Sequence, residues 1–505
     1  MALQLPISPL LGSRLWLAVA SLAGAYIAVS PIVSWYRLRH IKGPWTAAWS
    51  SLWLLRRTSS STLFEELGDA CDQYGPVVRV APNYVILGDP SEIRRIWGVR
   101  SQFDRAAWYK GFRLDPPRDC TLSMTDADVH TVLRSKLSPG YGGKDVEGIH
   151  ESIDHGVARF IRLIEEKYLS TETQYRPVDF ARKVQYMTLD IISDVAFGES
   201  FGFMDADEDL YGYVKTTEES VPMMQMFALV PWLIRLLQSP ICKAMLPSER
   251  DAVGLGPIMA TAKRVVAERY GPKPVTRNDM LGSFVKHGLG QREAEAESLV
   301  QIIAGSDTTA SALRTIMTHV ATHPMVHGRL LAEIDAGAAE GRISSPITDS
   351  EARELPYLQA CIKEGFRVWP PITGIMPRVS SSDASISGVH IPAGTNVGWS
   401  ARAALRDKTV FGADAAMYRP ERWLTADAEQ LQTMSNTVDL CFGQGRWGCL
   451  GRPIALMELN KMVVELLRRF DFTVVNAERP VKNSFTGVLL QSDLNMRISH
   501  REDLQ

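Results

Sequence analysis

The stretch Phe442-Gly443-Gln444-Gly445-Arg446-Trp447-Gly448-Cys449-Leu450-Gly451 carries more chemical information than any other part of this chain. Its closely spaced glycines, Gly445 among them, let the backbone bend where a Cβ would obstruct it. Cys449 then falls at the start of an apolar-periodic run, Ile454, Leu456, Met457, Leu459, Val463 and Leu466, which predicts a helix. A cysteine there meets a helix N-terminus, whose unpaired N–H groups and positive dipole end lower the thiol pKa and favour the thiolate, the form that binds metals. Phe442 is placed to cover the sulfur and keep water out. By itself the loop leaves open the ordinary alternative, a buried structural cysteine after a surface turn. Cys441 does not decide it, because its separation from Cys449 is not a zinc-ligand spacing and reducing surroundings disfavour a disulfide.

Three further signatures precede this loop. Ala304-Gly305-Ser306-Asp307-Thr308-Thr309 lies inside a long helical pattern, Glu364-Gly365-Phe366-Arg367 lies in another, and Pro420-Glu421-Arg422-Trp423 follows. With the cysteine loop last, the chain resembles the cytochrome P-450 superfamily of haem-thiolate monooxygenases, in particular its membrane-anchored fungal members. The resemblance covers nearly the whole chain, and the motifs occur in the family's order. It implies a mainly α fold with small β-sheets, haem b (iron protoporphyrin IX) with Cys449 as the metal ligand, and a thiolate that pushes electron density toward bound oxygen.

Composition agrees with one large catalytic domain. The 505 residues are 45% hydrophobic and 22% charged, enough apolar content to bury a cofactor. Among them we find no Gly/Ser-rich or Pro-rich linker and no repeat. The net charge of −2 supplies no basic field for nucleic acid. Six scattered cysteines, at 71, 120, 242, 361, 441 and 449, form no disulfide framework.

Residues 1–42 read as a separate anchor and 43–505 as the catalytic domain. From Leu15 to Trp35 the chain is uncharged and rich in Leu, Ala, Val and Ile. At about 1.5 Å per helical residue this reaches roughly across a hydrocarbon core of about 30 Å. Arg37, Arg39, His40 and Lys42 follow, against a single Arg14 before, which places the domain on the cytoplasmic side of a single-pass span, expected in the endoplasmic reticulum membrane. The alternative is a cleaved signal peptide, but the apolar stretch is long and no clear small-residue cleavage site follows. Gly43-Pro44 then breaks the helix.

Beyond the anchor, Val77–Ala81 and Tyr84–Leu87 read as strands, and from about Ser123 to Asp349 the patterns are mostly helical, including Val184 to Ala196 and Arg292 to His319. Strand signals return from Ala384 to Val397, near Val488 to Leu490, and from Met496 to Ile498.

Asp307 is a charge in an apolar and small-residue segment, and Ala304 and Gly305 would leave room for an oxygen molecule beside the helix. The resemblance makes Asp307 and Thr308 the candidate catalytic pair, relaying protons that oxygen scission consumes. The alternative is a threonine bonding back to a carbonyl one turn earlier and an aspartate facing solvent. Glu364 and Arg367 share a helix face, and Arg422 is a second cation that completes a charge-assisted network. The resemblance implies burial and a bracing role for all three.

Haem propionates need cationic partners. His130 and Arg134 are one helical turn apart, and Arg378 follows Pro377 in a strand; with Phe442 and Gly445 these are the remaining candidate cofactor-binding residues. Most family members carry a basic residue two positions before the cysteine. Here that position is Trp447 and the arginine is Arg446, so the balancing charge falls to His130, Arg134 and Arg378.

Substrate contacts are expected from Phe103 to Asp115, from Met223, Met224, Met226 and Phe227, from the helix residues before Asp307, from Ile372 to Ile375, and near Thr486 to Leu489. A flexible apolar wall beside a membrane suits a lipophilic small molecule. The resemblance implies monooxygenation with O2 in fungal secondary-metabolite pathways, with electrons from NADPH through a separate flavoprotein reductase, a small b-type cytochrome being a further donor the family uses. No dinucleotide fingerprint is visible in the chain itself. An isomerase or peroxide-dependent enzyme, and a non-catalytic haem-binding protein, are the alternatives.

Overall fold

The computed structural model describes residues 21, 29–114, 118–242 and 246–501. Helices dominate, and five of them frame the site. Helix α1 (Ala127–Tyr141) begins at Asp126, whose carboxylate accepts from the N–H groups of Asp128 and Val129. Helix α2 (Phe180–Phe197) is capped by Asp179 and is buried along nearly its whole length. Helix α3 (Gln291–Thr322) has 32 residues, so it spans about 48 Å. Glu293 secures its start by accepting from the Gly290 N–H at 2.9 Å. Helices α4 (Pro356–Val368) and α5 (Arg452–Leu467) each carry a proline in their first turn, where no N–H is lost to the helix.

Helix α3 is the axis of the core. It packs against α2, α4 and α5, and its Ala310, Leu313, Ile316 and Met317 are fully covered. A helix apolar on most sides belongs inside a large domain. The approach of α2 to α3 is set by Gly305, where a Cβ would lie 2.8 Å from Ile192 Cγ1. The small residue at 305 therefore serves helix packing, whereas Ala304 is the exposed one of the pair.

The largest sheet has five strands: β1 (Val77–Ala81), β2 (Tyr84–Leu87), β3 (Asp104–Arg105), β4 (Arg378–Val379) and β5 (Asn396–Trp399). Their spatial order is β1-β2-β5-β4-β3. Strands β2 and β5 are parallel, with Tyr84 opposite Asn396, and the other neighbours are antiparallel. The β3–β4 register sets Arg105 directly opposite Arg378. The remaining strands form small sheets, including Asn495–His500 between Val178–Asp179 and Phe470–Val474.

The predicted membrane span, Leu15 to Trp35, falls largely outside the described residues. Residues 29–38 are helical, and Arg79 ties this segment to the sheet by donating to Ser34 O at 3.0 Å and Pro82 O at 2.8 Å. Among the described residues no helix is long and apolar enough to cross a membrane.

Candidate active site

The cysteine loop is held by backbone before any side chain acts. The Cys449 N–H donates to Phe442 O at 2.7 Å, which closes the loop on itself. Gly445 has φ of 67°, and a Cβ there would lie 3.0 Å from Trp97 O and 3.1 Å from Val99 N, so both the conformation and the space demand glycine. Phe442 packs on Phe366 of α4, with ring centroids 4.9 Å apart. The Arg452 guanidinium lies 5.2 Å from the centre of its ring.

Cys449 sits deep in the protein yet is exposed, because it opens onto a cavity. Burial pushes its thiol above the ordinary value, while the N–H groups of Gly451 and Arg452 and the charges of Arg134 and Arg452 pull it down. The expectation of a lowered pKa is thus corrected. The helix N-terminus does address the sulfur, but desolvation is the larger effect. A bound metal ion would deprotonate the thiol outright.

The cavity holds about 1670 Å³ of space free of atoms, counted out to its mouth. Cys449 and Phe442 line one wall, and Ala304, Thr308 and Thr309 of α3 line another. The Thr308 hydroxyl donates to Ala304 O at 2.8 Å, the back-bonded arrangement. Asp307 is not on the cavity wall. Gln185 Nε2 donates to its Oδ1 at 2.5 Å, and burial raises its carboxyl to about 6 against the pull of Arg314 and Gln185. It is half-buried rather than solvent-facing.

On a third side the structure gathers more cations than the sequence suggested. Arg378 is 2% exposed, with Nε and Nη1 unpartnered. Arg105, which sequence reasoning left among generic substrate contacts, is 8% exposed; its Nη1 donates to Thr121 O and Leu122 O, and its Nε has no partner. Trp447 forms an aromatic plate between them, its ring centre 4.3 Å from the Arg105 guanidinium and 5.5 Å from that of Arg378. His130 packs at a tilt against the same indole, with ring centroids 4.2 Å apart. Burial and the charges of Arg105, Arg134, Arg378 and Arg446 lower the His130 pKa to about 3, so the imidazole is neutral. The assignment of balancing charge to His130 is therefore corrected: it offers a hydrogen bond, with Nδ1 unpartnered. Arg134 donates to Gly448 O at 2.5 Å, which fastens it to the cysteine loop. Arg446 is exposed and does not line the cavity.

A sequence profile described as cytochrome P450 matches residues 41–498. This chain belongs to the cytochrome P450 family. It is 39% identical to the protein named cytochrome P450 monooxygenase ABA1 of Pyricularia oryzae, over 96% of this chain and 97% of that one. Similarity also extends to cytochrome P450 monooxygenase aba1 of Botryotinia fuckeliana, at 36% identity over 92% of both chains. A third relative, cytochrome P450 monooxygenase abl1 of Leptosphaeria maculans, is 34% identical over 96% of this chain and 90% of that one.

The residues of this cytochrome P450 fit the haem its family implies. Two arginines facing each other in register repel unless an anion lies between or beside them, and here both are buried with free N–H donors next to the cavity that Cys449 enters. The dicarboxylate edge of haem would supply that anion.

The bracing network is complete. Glu364 is fully buried and accepts from Arg367 Nε and Nη2 at 2.8 and 2.7 Å, Arg422 Nε at 3.0 Å, Trp423 Nε1 at 2.9 Å and Arg419 N at 2.8 Å. The Met-rich stretch is displaced from its expected role. Met223, Met224, Met226 and Phe227 do not line the cavity, and Met223 and Phe227 are exposed. Of the other expected contacts, Arg105, Tyr109, Ile372 and, before Asp307, Val300, Ala304 and Gly305 reach the wall.

Proposed function

We propose that this cytochrome P450 inserts one oxygen atom from O2 into a lipophilic small molecule of a fungal secondary-metabolite pathway, with Cys449 as the iron ligand. The observation that supports it best is the sulfur of Cys449 at a helix N-terminus, opening onto the same cavity as the unpaired donors of Arg105 and Arg378. Monooxygenation is the activity its relatives carry in their names. Haem, when bound, supplies the oxygen-activating chemistry.

The chain's own residues then have separable tasks. Arg105, Arg378 and Arg134 would hold the propionates with charge-assisted bonds, and His130 would add one hydrogen bond. Phe442, pressed by Phe366, shields the sulfur from water. Ala304 and Thr308 line the cavity in which haem would activate oxygen, the small Ala304 side chain leaving space there. Asp307 carries a proton up to about pH 6 behind this wall, and its relay with Thr308 requires the threonine hydroxyl to leave Ala304 O.

Electrons come from NADPH through a separate flavoprotein reductase. Trp45, Leu52, Met223, Phe227, Trp232 and Leu236 are exposed on adjoining elements of the N-terminal region and the segment 213–237, and an apolar face of this kind suits the endoplasmic reticulum surface. Together with an N-terminal anchor, it would admit substrate from the bilayer. Incubation with reductase and NADPH, beside incubation with peroxide alone, tests the activity. Product that needs NADPH and O2 supports monooxygenation; product from peroxide only, or none with any lipophilic substrate that binds, overturns it.

A further inference from the structure

Glu297 stands on α3 where packing alone would place an apolar residue. It is 1% exposed, and a single neighbour bonds both of its oxygens: the Thr121 N–H donates to Oε1 at 2.5 Å and the Thr121 hydroxyl to Oε2 at 2.7 Å. Burying a carboxyl is expensive, so its place calls for a reason beyond filling space. Securing the start of α3 is not that reason, because Glu293 already does so. Nor is fastening the segment before α1 to the helix, because Arg118 already donates to Glu295 at 2.5 Å.

Thr121 belongs to a turn that serves Arg105. Ser123 shapes this turn: its Oγ accepts from the Cys120 N–H at 3.0 Å and donates to Asp119 Oδ1 at 2.9 Å, while the Met124 N–H donates to Cys120 O at 2.9 Å. The carbonyls of Thr121, Leu122 and Met124 converge in consequence on Arg105 Nη1, at 2.5, 3.0 and 3.2 Å. With Nη1 held there, Nε is left unpartnered on a guanidinium that lines the cavity. Burial raises the Glu297 carboxyl to about 7, with Glu293 adding to the rise, while the two Thr121 bonds and the Arg105 charge pull it down. The acid and the arginine therefore sense each other across Thr121.

We propose that Glu297 is a positioning residue for haem: through Thr121 it holds the turn whose carbonyls orient Arg105, and so keeps the free Arg105 N–H available to the propionates. Glu297 does not itself line the cavity, and its influence passes through the arginine. The proposal rests on the reading that Arg105 meets haem.

The test follows the release of haem from the loaded chain to excess apomyoglobin. Arg105→Ala should speed release about tenfold or more, the factor that one charge-assisted bond is worth. Glu297→Leu should speed it several-fold, and Glu297→Leu/Arg105→Ala no further than Arg105→Ala alone, because the acid acts through the arginine. Glu297→Gln should stay near the parent rate, since its amide can accept from the Thr121 N–H and donate to the hydroxyl. Thr121→Val, which loses only the hydroxyl bond, covers the case in which Glu297→Leu does not fold; it too should speed release, and only while Arg105 is present. Rates that multiply in the double variant would show a merely structural role and overturn the proposal. So would parent-like release from Glu297→Leu or Arg105→Ala, or a Glu297→Gln rate equal to that of Glu297→Leu. The carbon monoxide spectrum of the parent tests the monooxygenase reading separately: without a thiolate-type band that reading falls, whatever the release rates show.

Discussion

Replacing Glu364 by alanine tests whether the buried network braces the cysteine loop. The carboxylate accepts five hydrogen bonds, four from side chains and one from the Arg419 N–H. Its loss falls unevenly on the two guanidinium groups. Arg422 keeps Asp414 Oδ1 at 3.1 Å, whereas Arg367 keeps only the carbonyls of Leu405, Ala415 and Met417. Arg367 is fully buried, so its charge is left uncompensated. Breaking a buried pair from one side costs about 3–5 kcal/mol. The effect should travel to the site through Phe366, whose ring meets Phe442 and whose carbonyl accepts from Cys441 Sγ at 3.6 Å. Urea unfolding should shift by that amount, and haem per polypeptide should fall in parallel. In the double variant Glu364→Ala/Arg367→Ala, part of the loss should return, because the stranded cation is gone. A shift below about 1 kcal/mol with haem content unchanged would refute the reasoning.

Gly445→Ala should cost about 1–2 kcal/mol for the left-handed backbone, plus the displacement of residues 97–99, and should lower haem content on purification. Arg105→Ala and Arg378→Ala should each lose haem, since a charge-assisted bond is worth roughly 1.5–3 kcal/mol, while Arg446→Ala should not; haem-to-protein ratios decide it. Asp307→Asn should stabilise the protein at pH 7 yet uncouple NADPH use from product. The folded state keeps the Asp307 proton to about 6 whereas an ordinary aspartate releases it at 3.8, so stability is lost as pH rises through that window, by about 3 kcal/mol at pH 7. Thermal unfolding at pH 3 and pH 7 checks the sign: the variant should gain only at pH 7.

Much of the fold was legible because local pattern and burial agree. Strands Val77–Ala81 and Tyr84–Leu87 carry β-branched runs bounded by turn residues, and the structure gives the same bounds. The Arg292 to His319 pattern lies inside Gln291–Thr322. Cys449, Glu364, Arg367 and Arg422 were legible because each sits in a motif with a mechanism. Arg105 was not: one arginine between Phe103 and Tyr109 says nothing until the β3–β4 register places it opposite Arg378. The lowered pKa of His130 was equally hidden, since it depends on burial and, besides Arg134 one turn away, on three arginines distant in sequence. Helical spacing brought Met223 and Phe227 to one face but could not tell whether that face meets the cavity or the outside. Glu297 carried no signal beyond an acid in a helical run; only its burial and its bonds to Thr121 give it meaning.

The central claim is that Cys449 supplies a thiolate to haem iron. The absorbance spectrum of the reduced carbon monoxide complex measures it most directly, taken for the parent chain and for Cys449→Ser. The account predicts a strongly red-shifted Soret band in the parent and none in the variant, because a neutral hydroxyl cannot supply thiolate density. A red-shifted band that survives Cys449→Ser, or a parent that binds haem without showing one, would contradict it.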